Sequence, residues 1–174
     1  ADQGLTADNY RKMGEKFISD YYERMKPFEQ LTILGLETQD RMTLSDGNQW
    51  HVRIDKLACD GEGNYYVCDY KTNARMKDQE EADEDRQLAM YSIWVQDKFK
   101  DVKSVKLVWH MLAFNKDAIS ERTPEQLDKL QQEVTSIIKE METATEFPRK
   151  QSGLCDYCVY KEMCPSFKHE VELE

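Results

Sequence analysis

The chain has no apolar run approaching the roughly 20 residues that a membrane span needs, so no spanning helix is expected. Nothing in it reads as a secretory signal. Its five cysteines are an odd number, and three of them crowd between Cys155 and Cys164. A disulfide framework is therefore not expected, and a reducing, cytoplasmic compartment fits better. Basic residues are in deficit, with 24 Lys and Arg against 34 Asp and Glu and a net charge of −10. That deficit counts against nucleic acid as a partner, because phosphate contacts want Lys and Arg. No histidine precedes His51, no cysteine precedes Cys59, and no internal repeat or low-complexity segment interrupts the chain.

What is present describes one soluble globular domain. At 174 residues, with 40% hydrophobic and 33% charged residues, the chain is long enough to bury a sizeable core. Much of the acidity is local: Asp78-Gln-Glu-Glu-Ala-Asp-Glu-Asp85 opens a helix, where carboxylates are favoured by the macrodipole. Arg75, Lys77, Lys98, Lys100, Arg149, Lys150 and Lys161 remain available for a nucleic-acid path.

Hydrophobic patterning predicts an amphipathic helix over 7–25 that stops near Pro27. Strands are expected over 31–44, 50–58 and 65–70, with Asp46-Gly47-Asn48 as a turn. A charged loop leads into a helix over about 79–97, and the β-branched and aromatic run 102–114 reads as a buried strand. Thr123-Pro-Glu-Gln126 carries a capping box for a last helix. Its apolar positions, Leu127, Leu130, Val134, Ile137, Ile138 and Met141, keep helical spacing. The order αβββαβα gives an α/β protein with a mixed sheet flanked by helices.

The chemistry concentrates in two of the strands. Asp55 lies in His51-Val-Arg-Ile-Asp-Lys-Leu57, and Asp69 and Lys71 in Tyr65-Tyr-Val-Cys-Asp-Tyr-Lys-Thr72. Side chains two apart on a strand share a face, so Asp69 and Lys71 point the same way. Two carboxylates from adjacent strands make a hard oxygen site suited to Mg²⁺ or Mn²⁺. Such a metal polarises a phosphate and activates water, while an adjacent ammonium offsets developing charge. An Asp-x-Lys alone is commonly a solvated strand face. Here Val67 and Cys68 lead apolar into Asp69, and Ile54 and Leu57 flank Asp55, where charge is costly unless paired or metal-bound.

Arg53-Ile-Asp-Lys-Leu57, Val67-Cys-Asp-Tyr-Lys-Thr72, Gln87-x-x-x-Tyr91 and the ending Phe147-Pro148 … Cys155-x-x-Cys158-x₅-Cys164-Pro165 together resemble the RecB-type branch of the PD-(D/E)XK nucleases. Its members are the nuclease domains of RecB/AddAB-like helicase–nucleases and the CRISPR-associated RecB-like exonucleases. The resemblance spans roughly 31–165. It implies a restriction-endonuclease-like core over 1–150 and a Cys-rich segment and tail over 151–174. It further implies that Asp55, Asp69 and the carbonyl of Tyr70 hold the metal and that Lys71 is the catalytic lysine. Gln87 and Tyr91, one helical turn apart, would contact phosphate or the attacking water; the same pair also reads as part of an ordinary helix. Two departures stand out, because relatives place a metal-binding histidine and a first cluster cysteine upstream of the first strand. The opening Ala and closing Leu-Glu fit a domain cut from a larger protein.

Cys155-x₂-Cys158-x₅-Cys164 is by itself a metal signal, since short spacing lets thiolates converge. The resemblance implies a 4Fe–4S cluster with a fourth ligand from elsewhere; Zn²⁺ with His169 is the rival, and metal-free reduced thiols the plain alternative. Cys59, Cys68, His51 and His110 read as packed or structural strand residues. The leading expectation is a metal-dependent DNA exonuclease or nuclease domain, acting in recombinational repair beside a helicase domain or subunit. The alternatives are a nuclease-fold module that binds DNA ends or a partner without cutting, and a zinc-bearing interaction domain.

Overall fold

The computed structural model describes residues 6–167. The chain divides into two compact units, Ala1–Ile138 and Lys139–Glu174. Thr6 starts helix α1 (Ala7–Met25) by accepting from the Asn9 amide while the Asn9 side chain accepts from the Thr6 amide. This reciprocal cap satisfies two otherwise orphaned donors. The helix ends before Pro27, as expected, but none of its residues is buried. Instead of an apolar seam, Arg24 anchors it with a two-pronged ion pair to Asp117 at 2.8 and 2.9 Å, and Tyr21 packs edge-on against Tyr70 and His110.

The first unit is built on one five-stranded sheet in the order β1-β2-β3-β4-β5. β1 (Thr32–Thr43), β2 (Gln49–Cys59) and β3 (Asn64–Lys71) form an antiparallel meander. β3 pairs parallel with β4 (Ser104–Met111), and β4 antiparallel with β5 (Lys116–Ser120). The parallel pair requires a crossover, supplied by α2 (Gln79–Glu84) and α3 (Arg86–Lys98). α3 buries Leu88, Ala89, Met90, Tyr91, Trp94 and Val95, and these join Leu57, Val67, Leu107 and Trp109 in the core.

The expected mixed sheet with flanking helices is present, with two corrections to the element order. The helix expected over 79–97 is broken at Asp85, whose backbone is extended (φ −63°, ψ 120°). Its carboxylate accepts from the Leu88 amide at 3.2 Å and restarts the helix as a cap. Arg122 donates to the carbonyls of Ala82 and Asp85 at 2.8 and 3.3 Å, satisfying acceptors left open at the end of α2. The run expected to be one strand over 102–114 ends at Met111. A single tight turn, Leu112–Phe114, and Asn115 in the left-handed region (φ 50°) reverse it into β5, a polar edge strand with little apolar signal. The last helix, α4 (Pro124–Thr143), starts at its Thr123–Gln126 box as expected. It buries Leu127, Leu130 and Val134, whereas Ile137 and Met141 are exposed.

The second unit folds into short turns around Gly153–Tyr157 and Lys161–Met163. Among its described residues none is buried.

Candidate active site

The β2–β3 register sets Lys56 opposite Cys68 and, carried one step further, sets Asp55 against Asp69. β1 is irregular at the same level: Glu37 adopts a left-handed backbone (φ 49°) and drops out of the ladder between the Leu36–Lys56 and Thr38–Ile54 pairs. Such irregularities re-aim side chains and mark functional rims of sheets. Burial changes there too: Val52 and Ile54 alternate with exposed neighbours, whereas Lys56, Leu57 and Ala58 are all buried. Asp55 sits where the alternation changes.

Asp55 Oδ2 accepts from the backbone amide of Tyr70 at 2.9 Å. Asp69 is held by Lys71, whose Nζ lies 3.0 Å from Oδ1 and 2.8 Å from Oδ2. The Oδ2 contact is an ion-pair distance without an aligned hydrogen bond, and that oxygen is buried without a hydrogen-bond partner. Burial pushes the Asp69 carboxyl above its ordinary range; Lys71 opposes the shift, and the charges of Asp55 and Asp85 reinforce it. A buried carboxylate crowded by two others and left with an open lone pair is chemically suited to a divalent cation. Two strand carboxylates match the one or two that Mg²⁺ usually takes from protein, the remainder of its shell being water and phosphate. Among the described residues no three His, Cys, Asp or Glu side chains gather as a metal-holding group.

Two residues beside the site escape the strand pattern. Asp85 reaches Asp69 electrostatically and pairs with Lys77 at 2.8 Å, both side chains being largely buried. Lys77 in turn sits 4.8 Å above the ring of Trp109, the β4 neighbour of Asp69. The only signal for Asp85 in the sequence is a cap-type residue just ahead of Arg86-Gln87. Lys71, Asn73, Arg75, Lys77, Glu81 and Met111 line a hollow of about 190 Å³ on this side.

The remaining expected residues fall as follows. The Tyr70 ring stacks on His110 with centroids 5.1 Å apart, and its amide serves Asp55. Gln87 donates to the Tyr91 hydroxyl at 3.2 Å; among the described residues, no hydrogen bond or ion pair joins this pair to Asp55, Asp69 or Lys71. Of the cations available for nucleic acid, Arg75, Lys77, Lys98 and Lys161 are held by Glu81, Asp85, Asp40 and Asp156. His110 is buried, with Nδ1 2.7 Å from Asp117 Oδ1 and Nε2 unpartnered. Cys68 is buried and its thiol is pushed up to about 11, chiefly by burial. His51 is exposed.

In the second unit Cys155, Cys158 and Cys164 form no disulfide and do not gather as a metal-holding group among the described residues. The Cys164 thiol is lowered, first by the backbone amide of Ser166, then by the Ser166 hydroxyl and Arg149. The Cys155 sulfur accepts from the Ser152 amide at 3.4 Å. His169, the alternative zinc ligand, lies outside the described residues.

No curated protein matches the chain. A crystal structure of SSO0001 aligns over 92% of this chain and 72% of its own, at 13% identity and a TM-score of 0.41. No helix among the described residues is long and apolar enough to cross a membrane. The model of the PD-(D/E)XK nuclease superfamily matches residues 3–165, nearly the whole chain and every strand and helix described above. The chain belongs to the PD-(D/E)XK nuclease superfamily.

Proposed function

We propose that this chain is a metal-dependent DNA nuclease domain of the RecB type, acting as an exonuclease in recombinational repair beside a helicase domain or subunit. The observation that carries the reading is the meeting of Asp55, Asp69 and Lys71 at one sheet position, with a buried Asp69 oxygen that accepts no aligned hydrogen bond. Asp55 and Asp69, with the carbonyl of Tyr70, would hold Mg²⁺ or Mn²⁺, which supplies phosphate polarisation and an activated water. Lys71 then places a positive charge beside the phosphate as negative charge builds on its oxygens. The Tyr70 amide keeps Asp55 aimed, and the capped start of α3 holds Asp85 close enough to tune Asp69. Gln87 and Tyr91 orient the phosphate or the attacking water from one face of α3.

The test is cleavage of end-labelled single- and double-stranded DNA with Mn²⁺, Mg²⁺ or EDTA. Lys71→Ala is expected to lower metal-dependent cleavage by ~10²–10³-fold, the usual cost of losing one preorganised electrostatic stabiliser. Fragment lengths give polarity. The second reading, a nuclease-fold module that binds DNA ends or a partner without cutting, draws on the acidic balance and on Lys71 being neutralised by Asp69. It prevails if wild type binds DNA and Mn²⁺ but leaves both substrates intact.

For the division of labour we propose a nuclease core over 1–150 and a cluster segment over 151–174. Cys155, Cys158 and Cys164 would ligate a 4Fe–4S cluster completed from outside that run. Support comes from the second unit itself, which has no buried residue among those described, with Leu154, Tyr157 and Val159 exposed. A small unit without a core needs a metal or covalent staple to hold a fold. Anaerobically prepared protein should show the broad visible absorption of an iron–sulfur centre; colourless protein with stoichiometric zinc would replace iron with zinc in this reading.

A further inference from the structure

Two hollows run end to end along the β1–β2 hairpin. One, of about 250 Å³, is lined by Glu37, Thr38, Gln39, Arg53, Ile54 and Asp55. The next, of about 380 Å³, is lined by Gln39, Asp40, Arg41, His51, Val52 and Arg53. Gln39 and Arg53 line both, so the two hollows adjoin, and Asp55 lines the first of them.

Its outer face is a regular polar ladder. Gln39 pairs across with Arg53, Arg41 with His51 and Thr43 with Gln49. These side chains are exposed while the alternating Met42, Val52 and Ile54 are buried. The ladder is organised: Arg41 Nε donates to His51 Nε2 at 3.3 Å, and Gln49 donates to Thr43 at 2.8 Å. Among the described residues neither Arg41 nor Arg53 is ion-paired to a carboxylate, unlike Arg24, Arg75 and Arg122. The Asp40 carboxylate is occupied by Lys98 and Trp94 at 3.1 Å each. Glu37 is the one other acid lining these hollows, in the one that Asp55 lines.

In a chain with ten more acids than bases, two guanidiniums without a carboxylate partner, on neighbouring strands beside Asp55, are informative. Arg41 and Arg53 lie diagonally across the hairpin, one same-face step of ~6.8 Å along the strands and one strand spacing of ~4.8 Å across, a reach that suits successive phosphates of an extended single strand. Guanidinium forks suit phosphate oxygens. We propose that this face is the track for the phosphodiester backbone of one DNA strand entering or leaving the site at Asp55. Arg53 takes the phosphate nearest the site, and Arg41, oriented by His51, takes the next. The inference rests on the nuclease reading and adds to it where the substrate lies.

The experiment is anisotropy of a labelled oligothymidylate strand across a salt series in EDTA, run beside cleavage of the same strand in Mn²⁺. Arg41→Gln/Arg53→Gln should weaken binding by ~10-fold at low salt and flatten the slope of log K against log salt by about 1.4, at about 0.7 for each phosphate no longer neutralised. Arg41→Lys/Arg53→Lys should restore most of the slope. The charge-matched Lys12→Gln/Lys129→Gln, outside the hairpin, should leave binding and slope unchanged. Unchanged Tm in every variant secures the comparison, since all four positions are exposed. If wild type cuts and binds the strand but Arg41→Gln/Arg53→Gln binds with the wild-type slope, the track is wrong and the nuclease reading stands. The ladder is then a charged face that only protects the edge strand β1. A wild type that neither binds nor cuts overturns both.

Discussion

Asp69→Asn is expected to abolish metal-dependent cleavage and, in the absence of metal, to raise the melting temperature by a few degrees. The loss should exceed the ~10²–10³-fold typical of one missing electrostatic stabiliser, because a proposed metal ligand goes with it. The gain in stability follows from the sign of the Asp69 shift. Burial first, then the charges of Asp55 and Asp85, raise its folded pKa above the ordinary value, against the pull of Lys71. The folded chain therefore holds that proton more tightly than the unfolded chain, and stability falls as pH rises through the folded value. At neutral pH the ionised carboxylate is a net cost that asparagine removes. Each kcal/mol relieved is worth ~2–4 °C at this chain length. The advantage should shrink as pH falls and vanish below 3.8, the ordinary value of the group, where Asp69 is protonated in both states. Mn²⁺ should raise the wild-type Tm by mass action and leave Asp69→Asn unmoved. Thermal melts at several pH values with and without Mn²⁺ decide it; a destabilised variant, or one still stabilised by Mn²⁺, would refute the assignment of Asp69 as a strained metal ligand.

The second large effect is expected at Asp117→Ala, on β5 opposite His110. Burial alone would raise the Asp117 carboxyl, but the His110 hydrogen bond and the Arg24 fork outweigh it and hold the group far below the usual carboxylate range. The stability it contributes is fully present above the unfolded value near 3.8 and is lost as pH falls through the depressed folded value. Removing one partner of a fully buried ion pair costs ~3–5 kcal/mol. Asp117 and Arg24 keep 22% and 27% of their side-chain surface exposed, and solvent screening lowers the expected loss to ~2 kcal/mol. Tm should fall by roughly 4–8 °C, and α1 should exchange its amides faster, because Arg24 and Tyr21 are its holds on the sheet. Urea melts of wild type and Asp117→Ala between pH 3 and pH 7 give the check. Equal pH dependence in the two would remove Asp117 from the account of acid stability.

The strand content of the site was legible in the chain itself. Apolar residues leading into Asp69, the two-residue step to Lys71, and Asp55 on the preceding strand depend only on local alternation, which a short segment carries whole. The Thr123–Gln126 box and the stop at Pro27 were legible for the same reason, since caps act within one turn. Asp85 and Lys77 were not. A continuous helical pattern runs through 79–97, and the break at Asp85 is stabilised by Arg122, which arrives from 37 and 40 residues away. The His110–Asp117–Arg24 chain likewise joins β4, β5 and α1 across 93 residues of sequence. β5 carries too few apolar residues to announce itself; it is a strand because β4 offers it a partner.

By itself, then, the sequence determined a mixed α/β chain, the two strands bearing Asp55, Asp69 and Lys71, and a clustered cysteine segment, since each is a matter of spacing within one element. Only the tertiary structure decided how Asp69 is buried, that Asp85 acts on it, that Tyr70 holds Asp55, and that Arg53 lines adjoining hollows with Arg41 and with Asp55. Those are consequences of desolvation and of contacts between elements, which no single stretch of sequence contains.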